Sequence, residues 1–148
     1  YVMLLAEGLL LQAEAAHRGY ISGDPQILFD SAIQASCDML GVSAANASGY
    51  ITNINGIDGK GYAASTDKIE AIMYQKSIAL CSINGLESWI EYTRTGYINN
   101  IPMPLGATSP TGQKPLRLMY PTSELASNSA NVPTVTVNQS FTTAPFWK

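Results

Sequence analysis

The sequence predicts a mainly α fold of paired helices, with long irregular loops and an extended C-terminal tail. Three observations predict it. Apolar residues recur at helical spacing through three stretches of the first hundred residues; Gly, Pro and capping residues punctuate those stretches; and beyond Gly96 the chain turns to Pro, Gly, Ser and Thr with little periodicity. A length of 148 residues suffices for one core and predicts one domain.

The first helix is expected over residues 1–18, where "YVMLLAEGLLLQAEAAHRG" opens inside a helical pattern with neither an initiator Met nor a cap. That opening reads as the C-terminal part of something larger. His17 and Arg18 place cations beside the negative helix end, and Gly19 stops it. Asp24 and Pro25 start a second helix, a capping residue followed by the imino acid best tolerated in the first turn. Its inward face carries Leu28, Phe29, Ala32, Ile33, Ser36, Cys37 and Leu40, and Gly41 ends it. The short link, with Gly8, Ala13, Ala15 and Ala16 allowing close approach, predicts a hairpin of the tetratricopeptide kind. One hairpin leaves an outer face bare, so further hairpins are expected upstream.

Residues 42–65 are rich in Gly, Asn, Ser and Tyr, with a turn at Asp58-Gly59, and are expected to form a long loop. A third helix is expected from Ser65 or Thr66, with Asp67 and Glu70 at its positive end. Ile69, Ile72, Met73, Ala79, Leu80 and Ile83 form its stripe, while Ile78 and Cys81 face the other way, so the helix is expected to be sandwiched. Lys76 falls near the middle of the stripe, where an unpaired ammonium is costly, and Glu87 and Glu91 are its candidate partners.

A fourth helix follows in "GLESWIEYTRTG". Asn84 caps it, Glu87 stands where a capping-box carboxylate reaches back, Leu86, Trp89, Ile90 and Thr93 take inward positions, and Arg94 lies three residues from Glu91. Lys76, Glu87, Trp89 and Arg94 are therefore expected to be structural. Two acids stacked on one helix face do not flank a glycosidic bond, which needs carboxyls about 5 to 10 Å apart across a cleft. In the tail, "RLMYPTSELASN" predicts a short helix and "TVTVNQSF" a strand, with Tyr120, Phe141, Phe146 and Trp147 as anchors.

Charge and composition narrow the function. Charged residues make up 13%, about half of the roughly 25% usual in soluble domains. The net charge of −3 and eight scattered Lys and Arg supply no basic stripe for nucleic acid. "VMLLAEGLLL" is too short to span a bilayer and holds Glu7. No metal or cofactor is expected. One His and two distant Cys do not complete a zinc site, "NINGIDGKG" lacks the carboxylates of a calcium loop, and "GIDGKG" has Gly61 where a phosphate loop needs Ser or Thr. His17 has no second His or nucleophile elbow beside it. Cys37 and Cys81 are compatible with a disulfide, but thiols pack well as small apolar groups, and two free thiols are expected.

Taken together, "EGLLLQAEAAHRG", then "QKSIALCSINGLESWIEYTRTG", "IPMPLG", "RLMYPTSELASN" and a terminal "FWK" resemble the C-terminal region of SusD/RagB-like proteins. Where that family commonly carries two arginines before Thr-Gly, Thr93 precedes Arg94 here. The resemblance covers nearly all of residues 1–148. It implies the C-terminal part of a single helical SusD-like domain whose upstream portion is missing from this chain. It also implies an outer-membrane lipoprotein at the cell surface, held by an N-terminal lipid, that binds oligosaccharide without catalysis and delivers it to a SusC-like TonB-dependent transporter. A sugar needs an aromatic face and amide or carboxylate groups, and Tyr50, Asn53, Asn55, Asp58 and Tyr62 supply those types within residues 42–65. The same residue types also make turns, and both readings stay open. The rival reading is a peptide-binding or protein-interaction helical scaffold, favoured by an apolar groove, whereas an exposed aromatic platform favours sugar.

Overall fold

The computed structural model describes residues 3–98 and 114–146. Among the described residues it holds seven helices and no strand: α1 (Leu5–His17), α2 (Pro25–Met39), α3 (Ala44–Ile54), α4 (Lys68–Leu80), α5 (Gly85–Thr95), α6 (Thr122–Ser127) and α7 (Val137–Thr142). The chain forms two compact units, one of Tyr1–Tyr92 with Gly96–Asn99, the other of Thr93–Thr95 with Asn100–Lys148.

In the first unit, α1 begins at Leu5 and stops where the sequence places the stop, with Arg18 as C-cap and Gly19 at φ +74°. The backbone there is left-handed, which glycine adopts without the Cβ penalty. The Asp24 carboxylate accepts the N–H groups of Gln26 (2.8 Å) and Ile27 (3.3 Å) and opens α2. A connection of seven residues folds α2 back along α1, and α4 packs against both. Leu10, Ala13, Phe29, Ala32, Ile33, Ile54, Tyr62, Ala71, Ile72 and Met73 form the buried core. Leu40, expected on the inward face of α2, is exposed instead.

The structure corrects the reading of residues 42–65 as one long loop. Ser43 accepts the Asn46 N–H (3.4 Å) and caps α3, whose Ala47, Ile51 and Ile54 recur at helical spacing and face the core. Gly49, Asn46, Ser48 and Asn53 occupy the other faces and dilute the pattern in sequence. What remains irregular is the stretch from Asn55 to Thr66, and it is tightly held. The Ser65 hydroxyl donates to the Gly61 carbonyl (2.6 Å) and accepts the Gly59 N–H (2.9 Å), while Asp58 accepts the Thr66 N–H (2.8 Å). Gly61 rests on the backbone of Ile54, so close that a Cβ would stand 2.0 Å from its carbonyl oxygen.

Helix α4 also starts later than expected, because Asp67 itself is the cap, accepting the Ile69 N–H at 2.8 Å. Its Ala71, Ile72, Met73, Gln75, Lys76, Ala79 and Leu80 are buried, over more than half of its circumference, and Ile78 is exposed. Asn84 caps α5 through the Glu87 N–H (3.4 Å), and Gly96 ends it at φ +79°. Leu86 and Ile90 are exposed and Trp89 half-buried, whereas Thr93 is fully buried, so the inward face of α5 is narrower than its apolar spacing predicts.

In the second unit, "RLMYPTSELASN" supplies α6 and "TVTVNQSF" folds as helix α7, not as a strand. The reason is a capping box: the Thr136 hydroxyl accepts the Gln139 N–H while the Gln139 side chain accepts the Thr136 N–H. That pair overrides the β preference of the alternating Val and Thr. Ser140 offers its carbonyl to the N–H groups of Leu116 (2.8 Å) and Arg117 (3.3 Å), and Phe141 is buried beside it. Tyr120 is half-buried under the Arg117 guanidinium, and Phe146 is almost wholly exposed, so it does not anchor as expected. Trp147 and "IPMPLG" lie outside the described residues.

The contact between Gly61 and Ile54 generates a direct test. Gly61→Ala forces two backbones apart and is expected to cost about 2–4 kcal/mol, lowering the thermal midpoint followed by circular dichroism by roughly 4 °C or more.

Candidate functional site

The charged cluster is built by three helices. Lys76 of α4 lies inside the protein with its side chain 3% exposed, and its ammonium donates to the Glu91 carboxylate of α5 at 2.7 Å. The Glu7 carboxylate of α1 stands 3.9 Å from the same nitrogen. Of the two acids named as partners, Glu91 holds Lys76 and Glu87 does not. Glu87 is half-buried in the first turn of α5. Glu7 was not foreseen, yet a signal exists, since it shares the helical face of Leu10 and Ala13 and is therefore an acid carried into the core. Arg94 stands in the last, electronegative turn of α5 and is exposed.

The five residues put forward for sugar contact are not brought together. Tyr62 is buried against Phe29, its ring edge-on to His17 and its hydroxyl 2.9 Å from His17 Nδ1. Burial raises its pKa. Asn55 is a strut, donating to Asp30 (3.1 Å) and accepting from Gln26 and from the Ala63 N–H (3.4 Å each). Asp58 closes the turn onto Thr66. Asn53 is exposed on α3. Tyr50 alone borders a cavity, where its hydroxyl meets the Gln75 amide at 3.3 Å and burial raises its pKa.

That cavity measures about 300 Å³ and lies among α1, α2, α3 and α4. Leu10, Ile33, Leu40, Val42 and Ile78 make most of its wall, with Cys37 at its side. Its lining holds no charged residue. The polar groups there are Ser36, Asn46, Tyr50 and Gln75, and Gln75 is already engaged by Tyr50 and by the Lys60 carbonyl (3.0 Å). Cys37 and Cys81 are free thiols, the first half-buried and the second exposed. Among the described residues no group of three or more His, Cys, Asp or Glu is placed to hold a metal, and no helix is long and apolar enough to cross a membrane.

The family model SusD-like_2, described as starch-binding associating with outer membrane, matches residues 1–121. The chain belongs to the SusD-like family. Among solved structures it is similar to a chitin-binding protein, with a TM-score of 0.68 and 28% identity over 86% of this chain. The SusD-like chain spans 28% of that protein's length. No curated protein sequence matches it.

Two of its polar contacts yield measurable consequences. Lys76→Met leaves two carboxylates in the interior without their cation and is expected to cost about 3–5 kcal/mol in urea denaturation. Combining it with Glu7→Leu and Glu91→Leu is expected to recover most of that loss, because a buried ion cluster and an apolar one of like volume are of similar stability.

Tyr97 donates a short hydrogen bond to the Asp67 carboxylate. This bond holds the Asp67 pKa below the usual carboxylate value and is the main cause of the rise in the Tyr97 pKa, to about 12. A depressed acid contributes stability above its unfolded pKa and loses it as the pH falls through the folded one. A raised phenol contributes stability below pH ~10 and loses it between there and about 12. Tyr97→Phe is expected to flatten the stability profile in both windows, and urea midpoints measured from pH 2 to 12 check it.

Proposed function

We propose that this SusD-like chain is part of a non-catalytic protein that binds oligosaccharide at the outer membrane. In this reading the whole protein is lipid-anchored at the cell surface and hands its ligand to a SusC-like TonB-dependent transporter. The family match over residues 1–121, whose description names starch binding and the outer membrane, carries the reading. The chitin-binding protein with the same fold adds a second carbohydrate binder.

The engagement of the acids supports the absence of catalysis. Glu7 and Glu91 face Lys76, Glu14 meets Arg18 at 2.8 Å, Asp67 caps α4, and Asp30 and Asp58 hold the turn after α3. A general acid and a nucleophile need freedom to exchange protons across a cleft. In the same reading Lys76, Glu87, Trp89 and Arg94 are structural. The glycan-contacting surface belongs mainly to the part of the fold that these residues support, since Tyr62, Asn55 and Asp58 are committed to packing and turn closure.

The second reading, a protein-interaction scaffold, draws on one observation: the cavity is apolar and offers no aromatic platform beyond the edge of Tyr50.

Calorimetric titration of the whole protein with chito- and malto-oligosaccharides tests the first reading. Saturable binding of at least one series is expected, without release of new reducing ends. Tyr50→Phe and Asn53→Ala are expected to change Kd by less than about threefold, well below the tenfold that 1.4 kcal/mol represents. Tight binding of peptides with none of either sugar series defeats the carbohydrate reading.

A further inference from the structure

The cavity of the first unit is unfinished. Its rim is made of large apolar side chains that remain open, with Leu40 68%, Ile78 44% and Val42 38% exposed, and no charge stands among them. Apolar surface of this kind is favourably removed from water. Sugar is a poor occupant, because a pyranose brings several hydroxyls and the Gln75 amide is already engaged. An ion is worse, for want of any counter-charge.

The fold itself points to what belongs there. Stacked helical hairpins bury their outer faces against the next hairpin, and α1 with α2 is one such pair. The chitin-binding protein that shares this fold is more than three times as long as the part this chain spans. We infer that the cavity is the seat of a further helix from the remainder of the SusD-like fold. That helix inserts apolar side chains at i and i+3 or i+4 spacing between Leu40, Val42 and Ile78. A face without charge selects a neutral, apolar helix face rather than a basic or acidic one. This inference rests on the reading that the chain is part of a longer SusD-like protein.

Cys37, in the cavity wall, is a built-in reporter, and exposed Cys81 is its internal reference. The rate at which N-ethylmaleimide labels each thiol is measured by peptide mass spectrometry in the native full-length protein and in the 148-residue chain. The Cys37-to-Cys81 rate ratio is expected to fall about tenfold or more in the full-length protein, because the seated helix shields one thiol only. An unchanged ratio overturns the inference. So does protection of Cys37 in the 148-residue chain that grows with concentration alongside dimer mass in light scattering, since the occupant is then a second copy.

Leu40→Asp in the full-length protein gives an independent measure. A side chain this exposed here is expected to behave there as a core residue, with a thermal midpoint lowered by about 5 °C or more, whereas a shift under about 1 °C overturns the seat. Glycan titration on the same preparation separates the two ideas. Sugar binding with Cys37 equally reactive in both proteins removes the seat alone, and a shielded Cys37 without sugar binding removes the carbohydrate reading alone.

Discussion

The ammonium of Lys76 has to be satisfied wherever α4 is packed, and that requirement organises the first unit. α4 is buried over more than half of its surface, so Lys76 has no route to water and must find its counter-charges on neighbouring helices. Glu91 reaches it from α5 and Glu7 from α1. Apolar contacts let helices slide against one another at modest cost, but an ion cluster in a low-dielectric interior fixes registry, because any shift separates charges that water cannot replace. The core residues around Phe29 and Ile72 supply the driving force for assembly. The cluster selects which arrangement is assembled.

The two poles of the first unit divide the work between polar closure and apolar openness. Around Asn55 to Thr66 almost every polar side chain is used. Asn55 reaches Asp30 and Ala63, Asp58 reaches Thr66, Ser65 bridges Gly59 and Gly61, and Lys68 donates to the carbonyls of Tyr62 (2.6 Å) and Ala63 (3.0 Å). Side chains spent in this way hold shape and have little capacity left for a ligand. At the cavity, by contrast, Leu40, Val42 and Ile78 have nothing polar to do and no cover. Polar groups that close on one another make a rigid element, and apolar groups left open make a place for something else to dock.

Much of this was legible in the sequence where a single residue dictates local chemistry. Asp24-Pro25, Asn84, Gly19, Gly41 and Gly96 mark helix ends because capping and left-handed backbone depend on the residue itself. Lys76 was readable as buried and in need of an acid from its angular position alone. The choice of Glu91 with Glu7 over Glu87 was not, since it depends on how three helices approach in space. Helix α3 was hidden because its buried stripe is only Ala47, Ile51 and Ile54 among polar neighbours, and α7 because the reciprocal Thr136–Gln139 cap outweighs an alternating Val-Thr pattern. The candidate sugar residues failed as a group for a related reason. Asn, Asp and Tyr are the residues of turns and of ring packing as well as of sugar sites, and composition does not distinguish a committed amide from a free one.

Gly61 gives the stretch after α3 a property that its composition conceals. A run of Gly, Asn, Asp and Ser looks permissive to insertion, yet the backbone at Gly61 lies directly against the Ile54 carbonyl. Adding or deleting one residue between them would bring a side chain, or the wrong peptide plane, to the point of closest approach. Drift at exposed positions such as Ile57, Ala63 and Ala64 leaves that approach intact. This segment can therefore vary in letters but not in length, a behaviour more typical of a strand register than of a surface excursion.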